Sequence, residues 1–159
     1  MTQGYRVVPV GQALANKVRA TLKAPGYGHP ATVEMAAGYG PCRVCLQTFA
    51  VGEERRILFT YDPFYGHAPF PLPSPIYVHA DACAPYADEA RFPDGLRFIP
   101  LTLNAYGPDA TLLAQERLAD GWDDRVEQSV DRLFRDPVVE YIHVRNTEAG
   151  CFIAHLARV

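Results

Sequence analysis

Apolar positions along this chain recur with two periods. Leu14, Val18 and Leu22 fall four residues apart with Pro25 just beyond, and predict a helix over 11–22. Val126, Val130, Leu133 and Phe134 fall at i, i+4, i+7 and i+8. They predict a second helix over 124–136, stopped by Pro137. Asp124 and Glu127 have capping-box spacing at its start, with Asp where Ser or Thr is usual. A third helix is expected over 109–119, with Asp109 as its N-cap and Gly121 past its end. Strands are expected at 5–10, 55–61 and 76–79, in the β-rich stretch 96–106, and in a closing hairpin of 138–146 with 151–158. Pro9 makes the first an edge strand, because it cannot donate to a central ladder. Two segments interrupt this pattern. Residues 24–41 form a long Gly-, Pro- and Tyr-rich loop. Residues 62–75 carry five prolines, which favour extended polyproline geometry. The order β-α-loop-β-β-β-α-α-β-β predicts an α+β fold with an antiparallel sheet and three helices, as a single domain over 1–159.

The hairpin permits a register argument. Ile142 and Val144 share one strand face; Phe152, Ala154 and Leu156 share one face of the next. Both sets reach the same side only if paired positions have the same parity. A three-residue loop, Glu148-Ala149-Gly150, achieves this with Gly150 left-handed. His143 then faces His155, Arg145 faces Ile153, and Cys151 faces Thr147. Tyr141, His143, Arg145, Cys151 and His155 line the other face. Cys151 is then about 13 Å from the histidine rung, too far for a Cys–His dyad within the hairpin.

Composition narrows the class without naming a reaction. Apolar residues at 48% suit a soluble globular chain. The net charge of −3 argues against a polybasic nucleic-acid binder. Charge is uneven: residues 1–60 carry seven basic and three acidic side chains, residues 61–136 six and thirteen. No basic leader with an apolar stretch opens the chain and no apolar run reaches 18 residues, so a cytoplasmic protein without membrane spans is expected.

Four cysteines in a reducing compartment point to metal or catalysis before disulfides. Cys42 and Cys45 form a C-x2-C pair in a tight turn; His79 and Cys83 form an H-x3-C pair. Together they make a Cys3His set, and soft thiolates favour zinc over magnesium or calcium. The 33 residues between Cys45 and His79 exceed the usual zinc-ribbon gap. The expected layout is a knuckle, a β-hairpin and a ligand-bearing turn, a treble-clef-like zinc module over 41–86. His29 or His67 could replace His79. Free buried cysteines with a core histidine, or an iron–sulfur cluster, are the alternatives. Four ligands close the site and make the zinc structural.

Four blocks carry a resemblance: Ala24-Pro-Gly-Tyr-Gly-His-Pro-Ala31, Gly38 to Leu46, Ile57 to Phe64, and His143 to Ala154. They resemble the signature blocks of an uncharacterised bacterial family, domain of unknown function number 1203. The resemblance implies a small bacterial single-domain protein and brings no activity, cofactor or catalytic residue with it. The expected function is zinc-stabilised binding of a small molecule or protein partner. The 24–41 loop and the hairpin would form the binding surface, through His29, Tyr141, His143, Arg145 and Cys151. The alternative is an enzyme using His29, His143, Arg145, Glu148 and Cys151, with Arg145 holding an anionic group.

Overall fold

A computed structural model describes residues 4–159. Two antiparallel sheets carry the chain. The first has five strands in the order β1 (Tyr5–Val8), β8 (Phe152–Arg158), β7 (Tyr141–Asn146), β5 (Leu101–Tyr106), β6 (Leu112–Leu118). The second has three, β2 (Thr32–Met35), β3 (Arg55–Tyr61) and β4 (Ser74–His79). Helices α1 (Gln12–Thr21) and α2 (Arg125–Phe134) complete the fold with two short 3-10 turns. The fold is α+β, as expected, but among the described residues with two helices in place of three. Among the described residues, no helix is long and apolar enough to cross a membrane.

Each sheet buries its own core. The predicted stripe of α2 packs Val126, Val130, Leu133 and Phe134 against Leu101, Leu103, Ile142, Val144 and Leu156. The second core gathers Ala15 and Val18 of α1, Ile57 and Phe59 of β3, Ile76 and Val78 of β4, and the Cys42–Cys45 turn.

The expected helix over 109–119 is instead β6, antiparallel to β5. Asp109 and Ala110 both have positive φ, so Asp109 reverses the chain rather than capping a helix. Ala, Leu, Gln, Glu and Arg favour helix only weakly, and the open ladder of β5 outweighs that preference. The capping box at α2 does not form either. Asp124 is left-handed with no side-chain cap bond, and Glu127 binds Arg97 at 2.6 Å. The loop over 24–41 contains β2, whose alternation is too short to be recognised, paired to β3 through Thr32↔Leu58.

In the hairpin, His143 pairs with His155 and Gly150 is left-handed at φ +77°, both as expected. Arg145, however, faces Phe152 rather than Ile153. Ile153 is an extra residue, a β-bulge. It moves Phe152 off the α2 face into the second core and brings Ile153, expected on the opposite face, into the first beside Ala154 and Leu156. Cys151 consequently closes on Asn146, its carbonyl accepting the Asn146 N–H at 3.0 Å, and not on Thr147.

Leu103 is fully buried on the central strand β5. Leu103→Ala should cost about 2–5 kcal/mol, while Leu112→Ala on the exposed outer strand should stay within about 0.5 kcal/mol. Urea midpoints compare them, and equal losses would refute this assignment of the core.

Candidate metal centre and hairpin cavity

The Cys42–Cys45 turn is built by backbone bonds. Leu46 N–H donates to the Cys42 carbonyl at 2.9 Å, and Cys42 N–H to the Gln47 carbonyl at 3.0 Å. Leu46 itself is left-handed, at φ +57°. Cys42 bridges Tyr77 of β4, and Arg43 N–H donates to the Tyr77 carbonyl at 2.9 Å. That bridge sets the turn beside His79, the last residue of β4. Gly40 precedes it at φ +95°, where a Cβ would lie 2.4 Å from the Phe49 ring, so no side chain fits.

The ligand atoms of Cys42, Cys45, His79 and Cys83 all lie within 4.8 Å of one another. These four could hold a metal ion. A tetrahedral ion bonded at about 2.3 Å to sulfur and about 2.05 Å to nitrogen has S···S edges near ~3.8 Å and S···N edges near ~3.6 Å. Cys42 Sγ and Cys83 Sγ are 3.8 Å apart, and Cys45 Sγ and His79 Nδ1 are 3.5 Å apart. Neither His29 nor His67 joins the set. His29 is exposed beside the Tyr27 ring, and His67 lies on the 62–75 segment.

Two partners of the cluster carry no sequence signal. Glu54 Oε2 lies 2.9 Å from His79 Nε2 and also accepts the Ala50 N–H at 3.1 Å. It leaves Nδ1 of His79 turned toward the thiols, the carboxylate–histidine pairing common behind metal ligands. Arg19, in the last turn of α1, donates to the His79 carbonyl at 3.0 Å and reaches Cys83 Sγ at 3.7 Å.

The thiols share negative charge unequally. The Cys45 thiol bond and three backbone N–H groups pull Cys42 down to about 4 against burial. The same bond, then burial, raises Cys45; burial, then the Cys42 charge, raises Cys83. Burial lowers His79, but the Glu54 bond and Cys42 outweigh it, and its pKa rises overall. A cation is what would let all three thiols ionise together.

Arg43, between the two cysteines, is 1% exposed. Its Nε donates to the Phe152 carbonyl at 2.6 Å, Nη1 to the Pro41 carbonyl, and Nη2 to Cys151 Sγ at 3.3 Å. Cys151 therefore stands apart from the metal set, as its spacing implied, and its partner is a guanidinium rather than a histidine.

The remaining expected residues divide. His143 sits among the rings of Phe64, Tyr106, Tyr141 and Phe152, each 5.1 Å away, and its Nε2 is 3.2 Å from His155 Nδ1. Tyr141 stacks on His155 at 4.9 Å. Of these rings Phe64, Tyr141, His143 and His155 border a cavity of about 360 Å³ that His67, Asp109 and Glu140 also line. Arg145 is nearly buried and spends its Nη atoms on the carbonyls of Gly150 and Leu72. His29 and Arg145 do not line this cavity, and neither do Glu148 or Cys151. Of the candidate catalytic groups, His143 is the one that lines this cavity. Phe64, His67, Asp109, Glu140 and His155 line the cavity without having been expected as binding residues: the register put His155 on this face, but nothing in the 62–75 segment or at Asp109 and Glu140 marked a cavity wall.

Burial, then His155 and Arg145, pushes His143 down to about 3; burial, then Arg6, lowers His155 as well. Above pH ~6.5 both imidazoles are neutral whether the chain is folded or not. Below it the unfolded chain takes protons that the folded one refuses. Stability should therefore fall from about pH 6.5 toward pH 3, by on the order of 1 kcal/mol per pH unit for His143. His143→Gln should flatten this acid limb in denaturant titrations run at several pH values; an unchanged limb would assign it to other groups.

No curated protein and no solved structure matches the chain. A family model for proteins of unknown function, DUF1203, matches residues 39–158. The match begins just before the Cys42–Cys45 turn and runs through β8, leaving β1, α1, β2 and the Ala24–Ala31 block outside it. Covering three quarters of the sequence, and with it all four residues of the metal set, this match makes the chain a member of the DUF1203 family.

Proposed function

We propose that this is a zinc-binding protein in which the ion is structural and the β7–β8 hairpin presents a binding cavity for a small molecule. The observation carrying the first half is the convergence of three thiols and one imidazole within 4.8 Å. Thiolates select zinc over hard cations, and four protein ligands leave no open position for a substrate. Cys42, Cys45, His79 and Cys83 would hold the ion. Its contribution when bound is a cross-link between the knuckle, the end of β4 and the turn after it. Residues 41–86 form that module within a single domain of 1–159.

The surroundings support this reading. Three thiolates and one zinc ion leave a net charge of −1, and Arg19 and Arg43 stand beside it as cations. Glu54 holds the His79 tautomer that presents Nδ1. All four cysteines are free of disulfides, which suits a reducing cytoplasm. A bound zinc with three thiolates moves the net charge from −3 to about −4, which disfavours nucleic acid as the partner. The cavity beside His143 and His155 supports the second half, because it brings the Phe64 and Tyr141 rings together with imidazole and carboxylate groups that could orient a small ligand.

Elemental analysis of the purified protein should find about one zinc per chain. Apparent binding energies of structural zinc are on the order of 10 kcal/mol. Cys42→Ser, or chelation of the ion, should therefore abolish the native denaturation transition or shift it far downward. Metal-free protein that unfolds at the same urea concentration as the reloaded protein would defeat the structural role.

A further inference from the structure

We propose that Cys42 and Cys83 form a reversible redox pair: a hydroperoxide oxidises Cys83, Cys42 closes a disulfide on it, and the metal ion is released. The proposal rests on the zinc reading of the Cys3His set and adds a way to empty it. Cys42 Sγ and Cys83 Sγ are 3.8 Å apart, close to van der Waals contact, and all four cysteines are free. The ligand thiols differ in access. Cys42 is fully buried and Cys45 is 7% exposed, whereas Cys83 is half-buried between the exposed Ala82 and Ala84. A reagent in solvent therefore meets Cys83 first, and oxidation follows exposure and thiolate character. A thiol that serves as a zinc ligand is already a thiolate. Cys151, the other half-buried thiol, meets the Arg43 guanidinium at 3.3 Å rather than a second sulfur.

The backbone lets the two sulfurs close. Cys42 is held at both its N–H and its carbonyl, and by its bridge to Tyr77. Cys83 lies on an irregular run between Ala80, whose N–H donates to the Arg55 carbonyl at 3.0 Å, and Tyr86, whose N–H donates to the Val44 carbonyl at 2.9 Å. The run moves and the knuckle stays. Cys83 Sγ attacks the terminal peroxide oxygen. The S–O bond forms, the O–O bond breaks, and the leaving oxygen takes a proton from water. Cys42 Sγ then attacks the resulting sulfenic acid; the S–S bond forms and hydroxide leaves. Two electrons pass from the sulfurs to the peroxide. A small thiol reverses the change, reducing the disulfide and becoming a disulfide itself. The bond consumes two of the four ligands, so the ion departs. It also ties the knuckle to the turn after β4, across the gap the ion would span. Glu54 and Arg19 still hold His79. Oxidation should empty the site without unfolding the chain.

The test is oxidation of the full chain, as purified with its zinc, by hydrogen peroxide beside a chromogenic chelator too weak to strip the reduced protein. Zinc should appear in step with loss of the Cys42 and Cys83 thiols, and non-reducing peptide mapping should find the two joined. With a cyclic 1,3-dione present to trap sulfenic acid, Cys83 should carry the adduct at least about fivefold more often than Cys42 or Cys45. The oxidised protein should unfold at higher urea than the chelated, reduced protein, and dithiothreitol with zinc should restore the parent midpoint. A Cys42–Cys45 linkage, no linkage, adducts chiefly on Cys42 or Cys45, or zinc retained after the disulfide forms overturns the redox pair and leaves the structural ion in place. Oxidised protein that unfolds no higher than the chelated form overturns the disulfide as a substitute for the ion. Protein that is purified without zinc and takes up none overturns both readings.

Discussion

Arg43 places a guanidinium where no water reaches it, and the rest of the structure is arranged around satisfying it. A buried cation is tolerated only when its donors are met and charge stands near. The Phe152 and Pro41 carbonyls and Cys151 Sγ meet those donors, and Cys42 is a second source of negative charge. The acceptors come from the knuckle itself and from the start of β8. One side chain therefore fastens the cysteine turn, and with it the three-stranded sheet, to the five-stranded sheet. Phe152 N–H donating to Ser74 Oγ at 3.2 Å makes a second fastening at the same seam.

The β3–β4 hairpin serves both sites. β4 ends in His79, the imidazole of the metal set. Its other end follows the segment that carries Phe64 into the cavity wall. Six strand residues separate the two, roughly 17 Å of chain. Asp62 holds that segment, accepting the N–H groups of Phe64 and Leu72 and the Tyr27 hydroxyl at 2.8 Å. An ion that fixes the end of β4 would act on the cavity only through this stiff path.

What could be read from the sequence was what local periodicity encodes. The α2 stripe, the span of β3, the pairing of His143 with His155 and the two ligand pairs, Cys42 with Cys45 and His79 with Cys83, each need only residues near one another in the chain. What could not be read depends on distant partners. β6 has the composition of a helix and becomes a strand because β5 offers it a ladder. Glu54 and Arg19 reach His79 only once β3 pairs with β4 and α1 packs on them. Arg43 looks like an ordinary basic residue in a turn, and its burial is decided 109 positions away at Phe152. Strict alternation puts Phe152 on the wrong face because it has no place for an inserted residue.

The bulge at Ile153 makes β8 a strand with two allegiances. Its first residue is in the core beneath β3 and β4, and the residues after the bulge are in the core beneath α2. Peeling either sheet away would leave part of β8 exposed. Removing one residue there would restore perfect alternation and, in doing so, turn Phe152 away from its neighbours. The irregularity in the strand is what lets one strand contribute side chains to both cores.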